Sequence, residues 1–228
     1  MPRSGRVLFG VVLACLALVA GCGDDDGGEP ATSTPTPEDT GGEQAGGCKS
    51  ATRPEPKQVD LDKPKERLDK SGTYVATVQT SCGTFEITLD AKRAPRTGGS
   101  FKYLADEGVL DGTTFHRVVP GFVIQGGDPQ GNGTGGPGYS VVEAPPGDLT
   151  YDTGVVAMAK TATEKAGTSG SQFFVVTGED AGLPPEYALL GEVTEGMDVV
   201  DLIGVAPVGP DEQPTEPIVM ESVTVEEQ

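Results

Sequence analysis

Tryptophan is absent from this 228-residue chain, and histidine occurs once, as His116. One imidazole and few thiols leave too little for a metal cage, and any nucleophile–imidazole pair would have to use that single ring. Basic residues are scarce: 16 Lys and Arg stand against 35 Asp and Glu, a formal charge of −19. No cluster of bases occurs, which argues against nucleic acid as a partner, because phosphate binding rests on grouped Lys and Arg. No apolar run reaches the ~20 residues of a membrane-spanning helix. Aromatics are few, 7 Phe and 5 Tyr, whereas Gly (34) and Pro (19) are abundant. That balance suits short strands joined by many turns, with some unstructured sequence, rather than a helical bundle.

Two familiar chemistries fail on context. Gly131-Asn132-Gly133-Thr134-Gly135-Gly136 fits the spacing of a dinucleotide loop. Such a loop must open a helix whose N-terminus meets the phosphates, and Pro137-Gly138 prevents one from starting. It reads as a Gly-rich surface loop, and no Gly-Lys-Ser/Thr sequence supplies a P-loop. Gly167-Thr168-Ser169-Gly170-Ser171 lacks the last Gly of a nucleophile elbow. His116 adjoins Arg117 on a predicted strand, where neighbours face opposite sides, so His116 is expected as a structural hydrogen-bonder. No metal and no cofactor are expected.

The N-terminus carries an address. Arg3 and Arg6 precede an apolar run of 14 residues, Val7 to Ala20, the length of a signal-peptide core. It ends in Val19-Ala20-Gly21-Cys22, which resembles the lipobox of bacterial lipoproteins. The resemblance implies removal of residues 1–21 and lipid on Cys22. The protein is then expected to be exported and held by lipid alone at the outer face of the cytoplasmic membrane, since so acidic a chain is repelled by anionic headgroups. Cys15 leaves with the signal peptide. Cys48 and Cys82 remain as an even pair in an oxidising compartment, and a disulfide between them is expected.

Residues 22–47 are rich in Gly, Pro, Thr and acids and nearly free of large apolar side chains. They cannot bury enough surface to offset ordering entropy and read as a disordered tether, with a reach of about 25–30 Å. Residues 48–72 are charged and Pro-interrupted, a partly ordered lead-in. From Tyr74 a hairpin begins, Tyr74–Thr80 and Thr84–Leu89 around Ser81-Cys82-Gly83. Helices are predicted over Pro95–Ala105, weakened by Gly98-Gly99, and over Gly196–Ile203. Further strands are predicted at Thr114–Val118, Phe122–Gln125, Ser140–Val142, Val155–Ala159, Gln172–Val176, Ala188–Val193 and Ile218–Val225. Short strands with two helices over residues 73–226 point to a closed β-barrel capped by helices.

The informative stretch runs from Phe115-His116-Arg117-Val118-Val119 through Pro120-Gly121-Phe122 to Val123-Ile124-Gln125-Gly126-Gly127-Asp128. It sets a guanidinium, an amide and an aromatic ring on neighbouring strands joined by a Pro-Gly turn. Simple alternation puts Phe115 and Arg117 on one face, and Phe122 with Ile124 opposite Val123 with Gln125. By composition alone it also reads as a strand pair with one surface Arg. Its sequence closely resembles the signature of the cyclophilin family, as does Gly170-Ser171-Gln172-Phe173-Phe174-Val175. Gly196-Met197-Asp198-Val199-Val200-Asp201 is similar to that family's late helix. The resemblance covers about residues 73–226 and implies a mainly β fold, an eight-stranded antiparallel barrel closed by two helices with a groove on its outer face.

It also implies peptidyl-prolyl cis–trans isomerisation of Pro-containing polypeptides; separately, a monomer is expected. Carried over residue by residue, Arg117 is the catalytic group, and Phe122, Val123, Gln125, Ala159, Lys160, Gln172, Phe174, Leu183 and Tyr187 bind substrate. Gln125 and Gln172 are expected to hold flanking peptide groups. Lys160 replaces the family's common Asn, whose backbone usually makes the contact. Gly182 stands where many members carry Trp or Phe, so weak cyclosporin binding is expected. The alternative is a tethered module that binds Pro-containing peptides without turning them over.

Overall fold

The computed structural model describes residues 47–228. The expected signal peptide (1–21), the expected lipidation residue Cys22 and all of the expected tether but Gly47 lie outside the described residues. The elements follow in chain order: β1 (Tyr74–Thr80), β2 (Gly83–Leu89), α1 (Pro95–Asp106), β3 (Thr113–Val119), β4 (Val123–Asp128) and β5 (Val141–Val142). Then come β6 (Val155–Met158), β7 (Thr168–Ser169), β8 (Phe173–Val176), β9 (Leu189–Glu195), α2 (Met197–Gly204) and β10 (Val219–Glu227). Eight strands close an antiparallel barrel in the order β1-β10-β3-β4-β8-β6-β9-β2, and β5 pairs with β7 outside it. Closure leaves the barrel itself without a free edge to recruit another chain.

Alternation along the strands builds the barrel's interior. Ala76 and Val78 from β1, Phe85 and Ile87 from β2, Ile124 from β4, Val156 from β6 and Val175 from β8 all enter one buried cluster. The helices add Phe101 and Leu104 from α1 and Val200 and Ile203 from α2 to the same cluster. Phe101 and Phe115 each meet Phe173 edge to face, at 5.6 and 6.2 Å between ring centroids.

Strict alternation fails at one place that matters. Phe115 is paired with Gly126 and Arg117 with Gln125, leaving His116 unpaired, while the step from Asp128 to Gly126 leaves Gly127 unpaired on the partner strand. Each bulge inserts one residue and re-aims its neighbours. Phe115 therefore joins the interior with Val118, whereas Arg117 remains partly exposed on the outer face, the side opposite to Phe115. The expectation that they share a face is corrected by this bulge. Phe122 is corrected likewise. It precedes β4 in the turn, escapes the alternation, and packs on the outer cluster with Val123 rather than inward with Ile124.

Residues 48–72 are mostly exposed but touch the barrel at several points. Val59 and Leu61 lie against the interior cluster, and Leu68 belongs to it. Lys57 N–H donates to the Pro129 carbonyl and Leu61 N–H to that of Pro137, each at 2.8 Å, and Leu68 N–H to that of Pro95 at 3.0 Å. The Gly98-Gly99 pair explains itself here. A Cβ at Gly99 would stand 2.8 Å from Arg67 Cα and 2.8 Å from the Glu66 carbonyl oxygen, so the small residues let this segment cross α1 closely. Helix propensity yields to packing. Cys48 and Cys82 are joined in a disulfide that pins the segment's start to the β1–β2 turn, beside a Lys49 N–H bond to the Ser81 carbonyl at 2.7 Å.

Candidate active site

Register lays out the site. Arg117 on β3 pairs with Gln125 on β4, Gln125 with Phe174 on β8, and Phe174 with Ala157 on β6. Cross-strand partners face the same side about 5 Å apart, so these four form one transverse row on the barrel's outer surface. The adjacent row, Val118, Ile124, Val175 and Val156, faces the interior and is fully buried. One residue of offset separates chemistry from core.

A second apolar cluster floors the outer face. Val123, Ala157, Phe174, Val176 and Leu189 are buried there, with Phe122, Ala159, Leu183 and Tyr187 packed against them at partial exposure. Above this floor is a hollow of about 200 Å³ lined by Arg117, Phe122, Val123, Gln125, Ala159, Lys160, Phe174, Leu183 and Tyr187. Nine of the ten expected site residues thus border one space. A larger recess of about 350 Å³ lies along β2 and β9, and none of the expected residues borders it.

Gln172 is the exception. Its amide nitrogen donates to the carbonyls of Gly133 and Gly135, at 3.1 and 2.9 Å, and its amide oxygen accepts from Gln125 Nε2 at 3.1 Å. With both ends engaged, it is placed to orient Gln125 and does not face the hollow. The glycine loop is itself shaped by buried Asp128, whose carboxylate accepts from the N–H groups of Gln130, Asn132 and Gly133 at 2.6–3.0 Å. The loop with dinucleotide-like spacing thus serves as a cradle for an amide.

Two cations border the hollow. The Arg117 side chain is 34 % exposed, and its Nε donates to Glu212 Oε2 at 2.6 Å. The Lys160 side chain is only 3 % exposed. Its ammonium sits 5.3 Å from the Tyr187 ring centroid and 3.3 Å from Glu186 Oε2, and donates to the Thr161 and Glu164 carbonyls at 3.4 Å. Lys160 thus lines the hollow with its ammonium held beside Tyr187 and Glu186.

Sequence reasoning missed three residues. Tyr151 is fully buried under the floor. Its hydroxyl donates to the Tyr187 carbonyl at 2.7 Å and accepts from the Tyr187 N–H at 3.0 Å, fixing that residue from below. Tyr187 in turn meets Phe174 edge to face at 5.5 Å. Burial pushes the Tyr151 hydroxyl up to about 12, so it stays protonated across neutral pH. Glu186 and Glu212 were the other omissions. His116 is buried, with the Thr114 backbone as a nearby hydrogen-bonding group and no bond of ordinary geometry at either ring nitrogen among the described residues. Burial holds its pKa below the ordinary imidazole value, against the pull of the nearby Asp128 charge.

The family model for cyclophilin type peptidyl-prolyl cis-trans isomerase/CLD matches residues 75–225. The chain belongs to the cyclophilin-type peptidyl-prolyl cis–trans isomerases. It is 40 % identical over 170 residues to peptidyl-prolyl cis-trans isomerase B of Streptomyces anulatus, covering 66 % of this chain and 95 % of that relative. It is 37 % identical over 169 residues to a probable peptidyl-prolyl cis-trans isomerase A of Mycobacterium leprae, covering 66 % and 91 %. Among solved structures, a Cryptosporidium parvum cyclophilin type isomerase superposes with a TM-score of 0.64 at 28 % identity, covering 68 % of this chain and 98 % of that one. The same parasite protein has also been solved in the presence of the dipeptide Ala-Pro, with a TM-score of 0.63. This cyclophilin barrel has the eight-stranded closure and two helices that the resemblance implied. The segment 48–72 lies outside the matched span.

Proposed function

We propose that this isomerase acts on X–Pro bonds of exported or cell-envelope polypeptides and assists their folding while lipid on Cys22 holds it at the membrane. The reading of export rests on the apolar run Val7–Ala20 and the Val19-Ala20-Gly21-Cys22 sequence. The reading of the chemistry rests on one observation: a partly exposed guanidinium and an apolar floor share a single hollow.

Rotation about X–Pro resists because amide delocalisation raises a barrier of about 20 kcal/mol. Acceleration requires that the twisted amide be bound more tightly than either planar form. Phe122, Val123, Phe174 and Leu183 receive the Pro ring, and their poor solvation disfavours the dipolar planar amide. As the bond twists, the prolyl nitrogen regains its lone pair. Arg117, permanently charged, donates to that nitrogen in the twisted state and has nothing comparable to donate to in the planar one. Gln125, oriented by Gln172, holds a flanking peptide group. No bond is made or broken, and the protein acts as a monomer on a Pro-containing chain. Gly182 keeps a left-handed backbone with open space beside it (φ 61°) and adds no ring to the rim; cyclosporin is expected to bind more weakly than nanomolar.

NMR exchange spectroscopy on a saturating Ala-Pro peptide tests the reaction. Cross-peaks linking cis and trans resonances on a subsecond timescale are expected with the full-length protein, against tens of seconds uncatalysed. Binding without faster exchange would support the tethered binding module instead. Labelling with radioactive palmitate, present in the natural chain and absent from Cys22→Ser, tests the anchor.

A further inference from the structure

Glu212 is the only non-glycine among the described residues with a left-handed backbone, at φ 62°. Such a conformation is costly for a residue with a Cβ and persists only where its surroundings fix it. They do so here. Its carbonyl accepts the Val118 N–H at 2.8 Å, and its own N–H donates to the Gly209 carbonyl at 3.1 Å. The loop around it is closed by a Gly209 N–H bond to Gln213 and a Thr215 N–H bond to Pro207, at 2.8 and 2.9 Å. The backbone of Glu212 is therefore tied to the residue next to Arg117 on β3. From that anchor its carboxylate takes the Arg117 Nε at 2.6 Å.

Guanidinium geometry gives this contact a consequence. Arg carries five donors in a planar fork, one on Nε and four on the two terminal nitrogens. Engaging Nε restricts the orientation of the fork and leaves the four terminal donors of this hollow-lining residue without a partner among the described residues. A donor aimed in advance costs no reorganisation when the amide twists. The opposing effect is partial neutralisation of the positive charge. That is the smaller effect here, because Glu212 is 48 % exposed and its charge is screened by solvent.

We propose that Glu212 is a positioning residue for catalysis, holding the Arg117 fork in the plane that meets the twisted prolyl nitrogen. This rests on the reading that Arg117 is the catalytic group. The test uses Glu212→Gly, which removes the carboxylate while suiting the left-handed backbone, and Glu212→Gln, which keeps an oxygen acceptor. Both are measured in the natural and Arg117→Ala backgrounds.

For Glu212→Gly, kcat is expected to fall about three- to tenfold with KM within about twofold, the pattern of a contact that matters in the transition state. Glu212→Gln is expected to recover most of that loss, and in Arg117→Ala neither change should lower activity further. A natural kcat in Glu212→Gly, a raised kcat, or an equal loss in both backgrounds would overturn the proposal. If Arg117→Ala itself is fully active, it is the catalytic reading that fails.

Discussion

The inner and outer rows of the β3-β4-β8-β6 wall are made by the same strands and differ by one residue of register. Val118, Ile124, Val175 and Val156 face a buried apolar interior shared with both helices. Arg117, Gln125, Phe174 and Ala157 face the groove, where polar groups and rings border a space open to a peptide. The contrast separates two kinds of sensitivity. Substitutions in the inner row should move stability and spare turnover per folded molecule, and substitutions in the outer row should do the reverse.

The largest expected effect is on the inner side. Ile124→Ala empties a fully buried site, and large-to-small changes in a core cost about 2–5 kcal/mol. Denaturant unfolding should register that loss, while kcat/KM per folded protein stays near the natural value. A large loss of turnover with unchanged stability would break the contrast between the rows.

Tyr151 sharpens it, because it is buried yet belongs to the groove. Tyr151→Phe removes the one hydroxyl that satisfies both the N–H and the carbonyl of Tyr187. Leaving buried polar groups unpaired costs about 1–3 kcal/mol. Part of that cost should appear as a looser Tyr187 wall, raising the peptide KM about two- to fivefold with kcat nearly unchanged. Steady-state kinetics over a range of peptide concentrations separates the two constants.

The smallest effect is on pH dependence. His116 is buried with its folded pKa below the unfolded value of 6.5. The unfolded chain therefore binds the proton first as pH falls, and stability declines from about pH 6.5 downward until the folded imidazole also titrates. Unfolding free energies at pH 7.5 and 5.5 should differ less in His116→Gln than in the natural protein. An equal difference in both would assign the slope to the carboxylates.

Much of this was legible in the sequence because alternation and turn chemistry act locally. The eight barrel strands and both helices follow from periodicity, whereas nine of the residues lining the hollow were reached only through the family resemblance, which also placed Gln172 there. The facing of Phe115 and Phe122 did not, since a bulge at His116 and a turn before Val123 reset the alternation that a strand pattern assumes. Glu212 lies 95 residues from Arg117 in a Pro-rich loop with no strand period, and no local signal links the two. Tyr151 lies outside every predicted element, and no local signal announces its bonds to Tyr187. The crossing of α1 by residues 66–68 was visible only as an apparent defect, Gly98-Gly99, in a predicted helix.

The most direct measurement is kcat/KM of Arg117→Ala in a protease-coupled prolyl assay, taken with the peptide Kd and the melting temperature. A fixed guanidinium that favours only the half-rotated bond predicts a fall of at least about tenfold, or 1.4 kcal/mol of lost transition-state binding, with the other two values nearly unchanged. Undiminished turnover by a folded Arg117→Ala protein would contradict it.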